Sequence, residues 1–158
     1  MWGRENRTGN LSRNYMAAYQ DIEAALDWAK AQKYKKISVW GSSYSASLVL
    51  KLAGDHPGIA CVLSFSPGEY FGGEITVRGW NMRNPAPTLM AFTPDEMDSG
   101  GSGLYKSSSH TPQRNRGDMI LSFPDSMHGS STLREDKNPR GAKLYMARVI
   151  AFLKSHAR

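Results

Sequence analysis

The sequence predicts an α/β fold of about four parallel strands flanked by helices. Three observations carry this. Strand-like and helix-like runs alternate along the chain, the signature of right-handed crossovers onto one parallel sheet. At least one strand candidate, Ala60 to Phe65, is apolar but for Ser64, as befits a strand covered on both faces. The stretch Ile37 to Leu50 passes directly from a strand pattern to a helix pattern through a tight turn of small residues.

Each element follows from a local pattern. Residues from about Asn14 to Lys33 form an amphipathic helix, with Met16, Tyr19, Ile22, Leu26 and Ala29 at helical spacing on one face. Asp21, Glu23 and Asp27 face away. Lys35 to Trp40 is the first strand, short and half-apolar. Tyr44 to Gly54 is a helix closed by Gly54 and by Pro57 beyond it. Ala60 to Phe65 is a buried-type strand. Gly68 to Arg83 mixes glycine, aromatic and polar residues and reads as a loop with a short helix. Pro87 to Phe92 and Asp118 to Phe123 are the third and fourth strands. Lys143 to His156 is the last helix, with Leu144, Met146, Val149, Ile150 and Leu153 on its buried side. No repeat or Pro-rich linker divides the chain, so residues 1–158 are expected to form a single domain.

Composition narrows the function classes. The chain is 40% hydrophobic and 22% charged, enough apolar residue for one core. No run approaches the ~20 apolar residues of a membrane span. Met1 to Arg7 holds no apolar stretch of the signal-peptide kind, so a cytoplasmic location is expected. The net charge of +6 is scattered over Arg4, Arg7, Arg13, Lys30, Lys33, Lys35, Lys36 and the last helix. Aromatic residues do not interleave with it as a base-stacking platform requires, so neither nucleic acid nor membrane is an expected partner. The single Cys61 cannot form an internal disulfide and reads as a small buried residue. No Cys and His spacing suggests a metal site, and no cofactor is expected.

The chemistry concentrates around Ser43. In Gly41-Ser42-Ser43-Tyr44-Ser45 small residues stand two before and two after the serine, as a sharp strand–turn–helix bend requires. Ser42 lacks a small residue two before it, since that position is Trp40. Ser45 has small neighbours but lies inside the helix start. His128 stands in Phe123-Pro124-Asp125-Ser126-Met127-His128-Gly129-Ser130, after the last strand and before the last helix. His56, His110 and His156 read as surface residues. Between Ser43 and His128, the strand Pro87 to Phe92 runs into Thr93-Pro94-Asp95-Glu96-Met97-Asp98, which offers three carboxylates able to orient an imidazole.

This arrangement resembles the α/β-hydrolase superfamily, and within it the dienelactone-hydrolase-like and small-esterase members. The elbow Trp40 to Ala46 and the loop Phe65-Ser66-Pro67-Gly68-Glu69-Tyr70 are similar to a bacterial branch of that group. The resemblance runs from about Tyr15 to the C-terminus. It implies a triad in the chain order Ser43, acid, His128. The spacing usual in these hydrolases lands on Glu96, with Asp95 fitting a loop one residue shorter and Asp98 least suited. It implies an oxyanion donor in the backbone N–H of Tyr44. Tyr70 and Glu69 are candidate substrate-binding residues. Trp2, Tyr44, Tyr70, Phe71 and Trp80 are candidates to line an acyl pocket.

Two departures from the family stand out. Dienelactone hydrolases proper carry a Cys nucleophile, and here it is Ser. The sequence before Ser43 holds no convincing strand ahead of Ile37, so the chain reads as a truncated α/β-hydrolase lacking the N-terminal half of the fold. The second oxyanion donor of the family then has no counterpart. Trp2 to Asn14, Pro67 to Tyr70 or a partner chain are candidates to replace it. The expected function is slow, promiscuous hydrolysis of small carboxylic esters. The alternatives are a catalytically impaired relic acting as a binding or subunit protein, and an amidase or peptidase on the same triad. The first strand is expected to be an uncovered edge, which favours a homo-oligomer.

Overall fold

A computed structural model of the chain describes residues 16–71, 77–101, 104 and 117–157. Four strands form one sheet: β1 (Ser38–Ser42), β2 (Cys61–Phe65), β3 (Thr88–Ala91) and β4 (Met119–Leu121). They run parallel in the order β1-β2-β3-β4. The helices are α1 (Ala17–Ala31), α2 (Tyr44–Asp55), α3 (Val77–Arg83), α4 (Pro94–Glu96) and α5 (Ala142–His156). A π-helical turn (Met97–Gly101) follows α4, and a 3₁₀ helix (Gly129–Leu133) precedes α5. Trp2, the segment 4–13 and His110 lie outside the described residues. Among the described residues no helix is long and apolar enough to cross a membrane.

The sheet has a core on each face, because alternate strand residues point opposite ways. Val62 and Met90 join the core that α1, α2 and α3 cover. Cys61, Leu63, Phe65, Leu89, Ala91 and Leu121 join the core under Tyr145, Val149 and Phe152 of α5. Ser64 is fully buried, and its hydroxyl donates to the Ala46 carbonyl at 3.0 Å. That bond satisfies the polar atom and ties α2 to the sheet. Cys61 is a buried free thiol whose Sγ donates to Ser38 Oγ at 3.2 Å, and burial pushes it up from its ordinary pKa.

Two patterns differ from the sequence reading. β1 begins at Ser38 and runs on through Gly41 and Ser42, which pair with Ser64 and Phe65. The strand thus delivers its last residue straight into the bend. On α5 the buried residues are Ala142, Tyr145, Val149 and Phe152, while Leu144, Met146 and Ile150 are exposed. Hydropathy favours Leu, Met and Ile as the core stripe. The helix instead turns its aromatic residues inward, where Tyr145 is fully buried and its hydroxyl accepts from the Phe123 N–H at 3.1 Å.

α1 is fastened to the end of α2 by polar contacts. The Tyr19 hydroxyl donates to Asp55 Oδ2 at 2.7 Å, and Lys51 bonds the same carboxylate. The Lys51 ammonium also stands 4.0 Å from the centre of the Tyr19 ring. Glu23, expected to face away, reaches His56 Nε2 at 3.1 Å. Burial and the neighbouring carboxylate push the Tyr19 phenol up. Burial would raise Asp55, but its bonds to Lys51 and Tyr19 outweigh that and hold it below the usual carboxylate range.

β1 ends the described sheet on one side. Its Trp40 lies on the α5 face, 45% exposed, with its ring stacked on Phe65 at 5.0 Å between centroids.

Candidate active site

Ser43 sits between β1 and α2 with φ +58° and ψ −132°. A serine held there costs about 1–3 kcal/mol and needs the surroundings to impose it. They do so in three ways. The Ser43 N–H donates to the Phe65 carbonyl at 2.8 Å, and the Ser43 carbonyl accepts from the Ala46 N–H at 2.8 Å. Gly41 lets the helix backbone pack directly on the strand: a Cβ there would stand 2.2 Å from the Ser45 carbonyl oxygen. Ser45, where the elbow motif usually has glycine, is buried. Its hydroxyl accepts from the Ser42 N–H at 2.9 Å and donates to the Ser42 carbonyl at 2.8 Å, stapling the bend.

His128 comes from the loop after β4, three strand spacings or roughly 14 Å from β1. Its Nε2 lies 3.0 Å from Ser43 Oγ and its Nδ1 lies 2.5 Å from Glu96 Oε1. The loop is pinned just beyond the ring. The Gly129 N–H donates to Ser66 Oγ at 2.8 Å, and the Ser130 N–H donates to Ser42 Oγ at 2.9 Å. Gly129 has φ +63°, and a Cβ on it would stand 2.4 Å from Ser42 Oγ. Glycine is what this crossing of the strand ends requires.

Glu96 closes α4. Thr93 caps that helix: its hydroxyl accepts from the Glu96 N–H at 3.2 Å, and Glu96 Oε2 accepts from the Thr93 N–H at 2.9 Å. This is a capping box. Oε2 also accepts from the Ser66 hydroxyl at 2.7 Å, while Oε1 meets His128. Burial would raise this carboxyl. Its bonds from the Thr93 N–H, His128 and Ser66 outweigh burial and hold it below the usual range. Glu96 is therefore an anion at neutral pH, aimed at the imidazole.

The other candidates are placed as follows. Asp95 and Asp98 are exposed. The backbone N–H of Tyr44 opens α2 next to Ser43, where the helix dipole favours negative charge. Tyr70 is 40% exposed, and its hydroxyl donates to the Ser66 carbonyl at 3.3 Å. Glu69 turns both carboxylate oxygens to the start of α3, accepting from the Val77 N–H at 2.7 Å and the Arg78 N–H at 3.0 Å. Phe71 and Trp80 pack on one another at 5.1 Å, with Trp80 in the core. Among the described residues no group of three or more His, Cys, Asp or Glu could hold a metal ion.

All of this geometry gathers at the C-terminal ends of parallel strands, where open α/β sheets bind ligands. An esterase of Pyrococcus furiosus superposes with TM-score 0.67 at 18% identity, covering 89% of this chain and 62% of its own. This is the α/β-hydrolase fold. A Klebsiella pneumoniae protein, provisionally assigned as a dienelactone hydrolase, shares the fold with TM-score 0.68 at 13% identity, covering 94% of this chain and 65% of its own. Pyrococcus horikoshii acylaminoacyl peptidase shares it with TM-score 0.66 at 12% identity, covering 91% of this chain and 29% of its own. The chain thus spans 62% and 65% of the length of the first two hydrolases. Neither a protein-family model nor a curated protein matches the sequence.

Within this hydrolase fold each strand supplies one polar side chain to the cluster: Ser43 after β1, Ser66 after β2, Glu96 after β3 and His128 after β4. Ser66 is the one that sequence reasoning left unassigned. Its signal was position alone, directly after an apolar strand. The capping-box spacing Thr93 to Glu96 was likewise present in the sequence and distinguishes Glu96 from Asp95.

Proposed function

We propose that the chain is a serine hydrolase that cleaves small carboxylic esters through an acyl-enzyme. The observation that carries this is the continuous line from Ser43 Oγ through the His128 ring to Glu96 Oε1, with contacts of 3.0 Å and 2.5 Å. In this reading Ser43 Oγ attacks the ester carbonyl while Nε2 of His128 takes its proton. The Nδ1–H bond to Glu96 fixes the tautomer and stabilises the imidazolium. The tetrahedral oxyanion takes a hydrogen bond from the Tyr44 N–H. As it collapses, His128 protonates the leaving alcohol, and the acyl group stays on Ser43. A water deprotonated by His128 then attacks the acyl carbonyl, the acid leaves, and Ser43 regains its proton.

Tyr70 stands beside the acid side of the site and is our candidate wall for substrate. Glu69 supports that wall by holding the start of α3. One oxyanion donor is worth about 100–1000-fold in rate, so the Tyr44 N–H is central to this reading. The superposition on an acylaminoacyl peptidase favours one second reading, amide cleavage by the same residues.

A fluorophosphonate probe tests the proposal, since it labels only an activated serine. Labelling of the wild type but not of Ser43→Ala, together with turnover of p-nitrophenyl acetate, is the expected result. A wild type that neither labels nor turns over would leave the reading of an impaired, binding-only relic. Rates on an ester and an anilide of the same acyl group separate esterase from amidase.

A further inference from the structure

We propose that Ser66 is a positioning residue of the triad, its hydroxyl tying the Glu96 carboxylate to the backbone of the His128 loop. Ser66 Oγ donates to Glu96 Oε2 at 2.7 Å and accepts from the Gly129 N–H at 2.8 Å. One buried hydroxyl thus joins the acid loop after β3 to the base loop after β4. Ser66 is itself held from both sides of its backbone. Its N–H donates to the Ala91 carbonyl at 2.7 Å, and its carbonyl accepts from the Tyr70 hydroxyl.

The backbone argues that the hydroxyl is what the residue contributes. Ser66 has φ +55°, a left-handed conformation that glycine adopts with less strain. A side chain at such a position has to be justified by what it bonds, and here one bond goes to Glu96 and the other to Gly129, the residue after His128. The geometry also explains the need. The His128 loop has to cross from β4 to β1, and Ser66 lies at the end of β2 on that path. With Oε2 occupied by Ser66 and the Thr93 N–H, the carboxylate cannot rotate, and Oε1 stays on Nδ1.

The kinetic part of this proposal rests on the esterase reading, and the structural part does not. Ser66→Gly is the informative variant, because it keeps the left-handed backbone and removes only the side chain. Ser66→Ala is the second, should the first fold poorly. Two quantities are measured in each: kcat and KM on p-nitrophenyl acetate, and the midpoint of the Glu96 carboxyl titration by carbon NMR. We expect kcat to fall about 10–100-fold with KM nearly unchanged, as for a small misplacement of a catalytic group. The Glu96 midpoint should rise, since a bond that favours the anion is lost.

An unmoved midpoint overturns the proposal, whatever kcat does, because the hydroxyl would then act only on loop stability or not at all. A raised midpoint with unchanged kcat overturns the positioning role. A raised midpoint in a protein whose wild type neither turns over nor labels upholds the tie between Ser66 and Glu96 and overturns the esterase reading instead.

Discussion

Ser43 Oγ and His128 Nε2 lie 3.0 Å apart, although they are 85 residues apart in sequence and come from opposite ends of the described sheet. The contact depends on Ser43 being held at positive φ and on the His128 loop being pinned after its crossing. We predict that Ser43→Ala and His128→Ala each lower ester hydrolysis to near background, on the order of 10⁴-fold or more, because triad members act as a unit. Ser42→Ala should lose far less. It removes only the acceptor for the Ser130 N–H. Steady-state rates on one short ester check all three.

Glu96 and Asp95 are neighbours with different surroundings. Glu96 meets His128, and Asp95 is exposed on α4. Glu96→Ala should therefore lower kcat by at least about 100-fold, in the manner of a triad acid. Asp95→Ala should stay within about threefold of wild type. The reverse order in kcat would move the acid to Asp95.

Glu96 also predicts a pH dependence of stability. Its folded pKa lies below the usual value, which is about 4.3 in an unfolded chain. The unfolded state then binds the proton more readily, so the stabilisation is fully present above that pH and is lost as pH falls through the lower folded value. Thermal melts of wild type and Glu96→Gln should differ most above about pH 5 and converge only as pH falls through the lowered folded value. Asp55 is depressed in the same direction. It is present in both proteins and cancels in the difference. A gap that stays constant down to low pH would show that Glu96 is not held as a stabilised anion.

Gly129 is the tightest point of the base loop. Gly129→Ala would place a Cβ 2.4 Å from Ser42 Oγ at φ +63°. We expect a stability loss of about 1–3 kcal/mol from strain at this backbone. The fall in kcat should exceed that of Ser42→Ala, since the ring of the preceding residue must shift. Chemical denaturation and kinetics together test this. An unchanged kcat would mean that the loop does not position the base.

β1 ends the sheet among the described residues and carries the exposed Trp40. An open strand edge beside an apolar ring favours pairing between copies. We predict an oligomer at micromolar concentration that Trp40→Lys weakens. Light scattering that gives a 17.5 kDa monomer at full activity would remove this expectation.

Much of the fold was legible because its determinants are local. Period-2 and period-3.6 patterns distinguish strands from helices, and a bend of small residues can be read from Gly41 to Ser45. α5 was misread at the level of its face. Tyr145 and Phe152 point inward because the sheet beneath accepts aromatic volume and the Tyr145 hydroxyl reaches the Phe123 N–H, and hydropathy encodes neither. Glu69 presents the same difficulty, since only the fold shows both its oxygens engaged at the start of α3.

By itself the sequence determined the order of strands and helices and the residue types able to do acyl-transfer chemistry. It also determined the room that Gly41 leaves for the helix backbone and the left-handed conformation that Gly129 permits. The tertiary structure decided which of these meet. Glu96 rather than Asp95 faces the imidazole because the capping box orients it. Ser66 joins the cluster because the sheet order places the end of β2 beneath the crossing loop. The reason is range: hydrogen-bond partners separated by 30 to 88 residues are chosen by strand order and register, which no local pattern encodes.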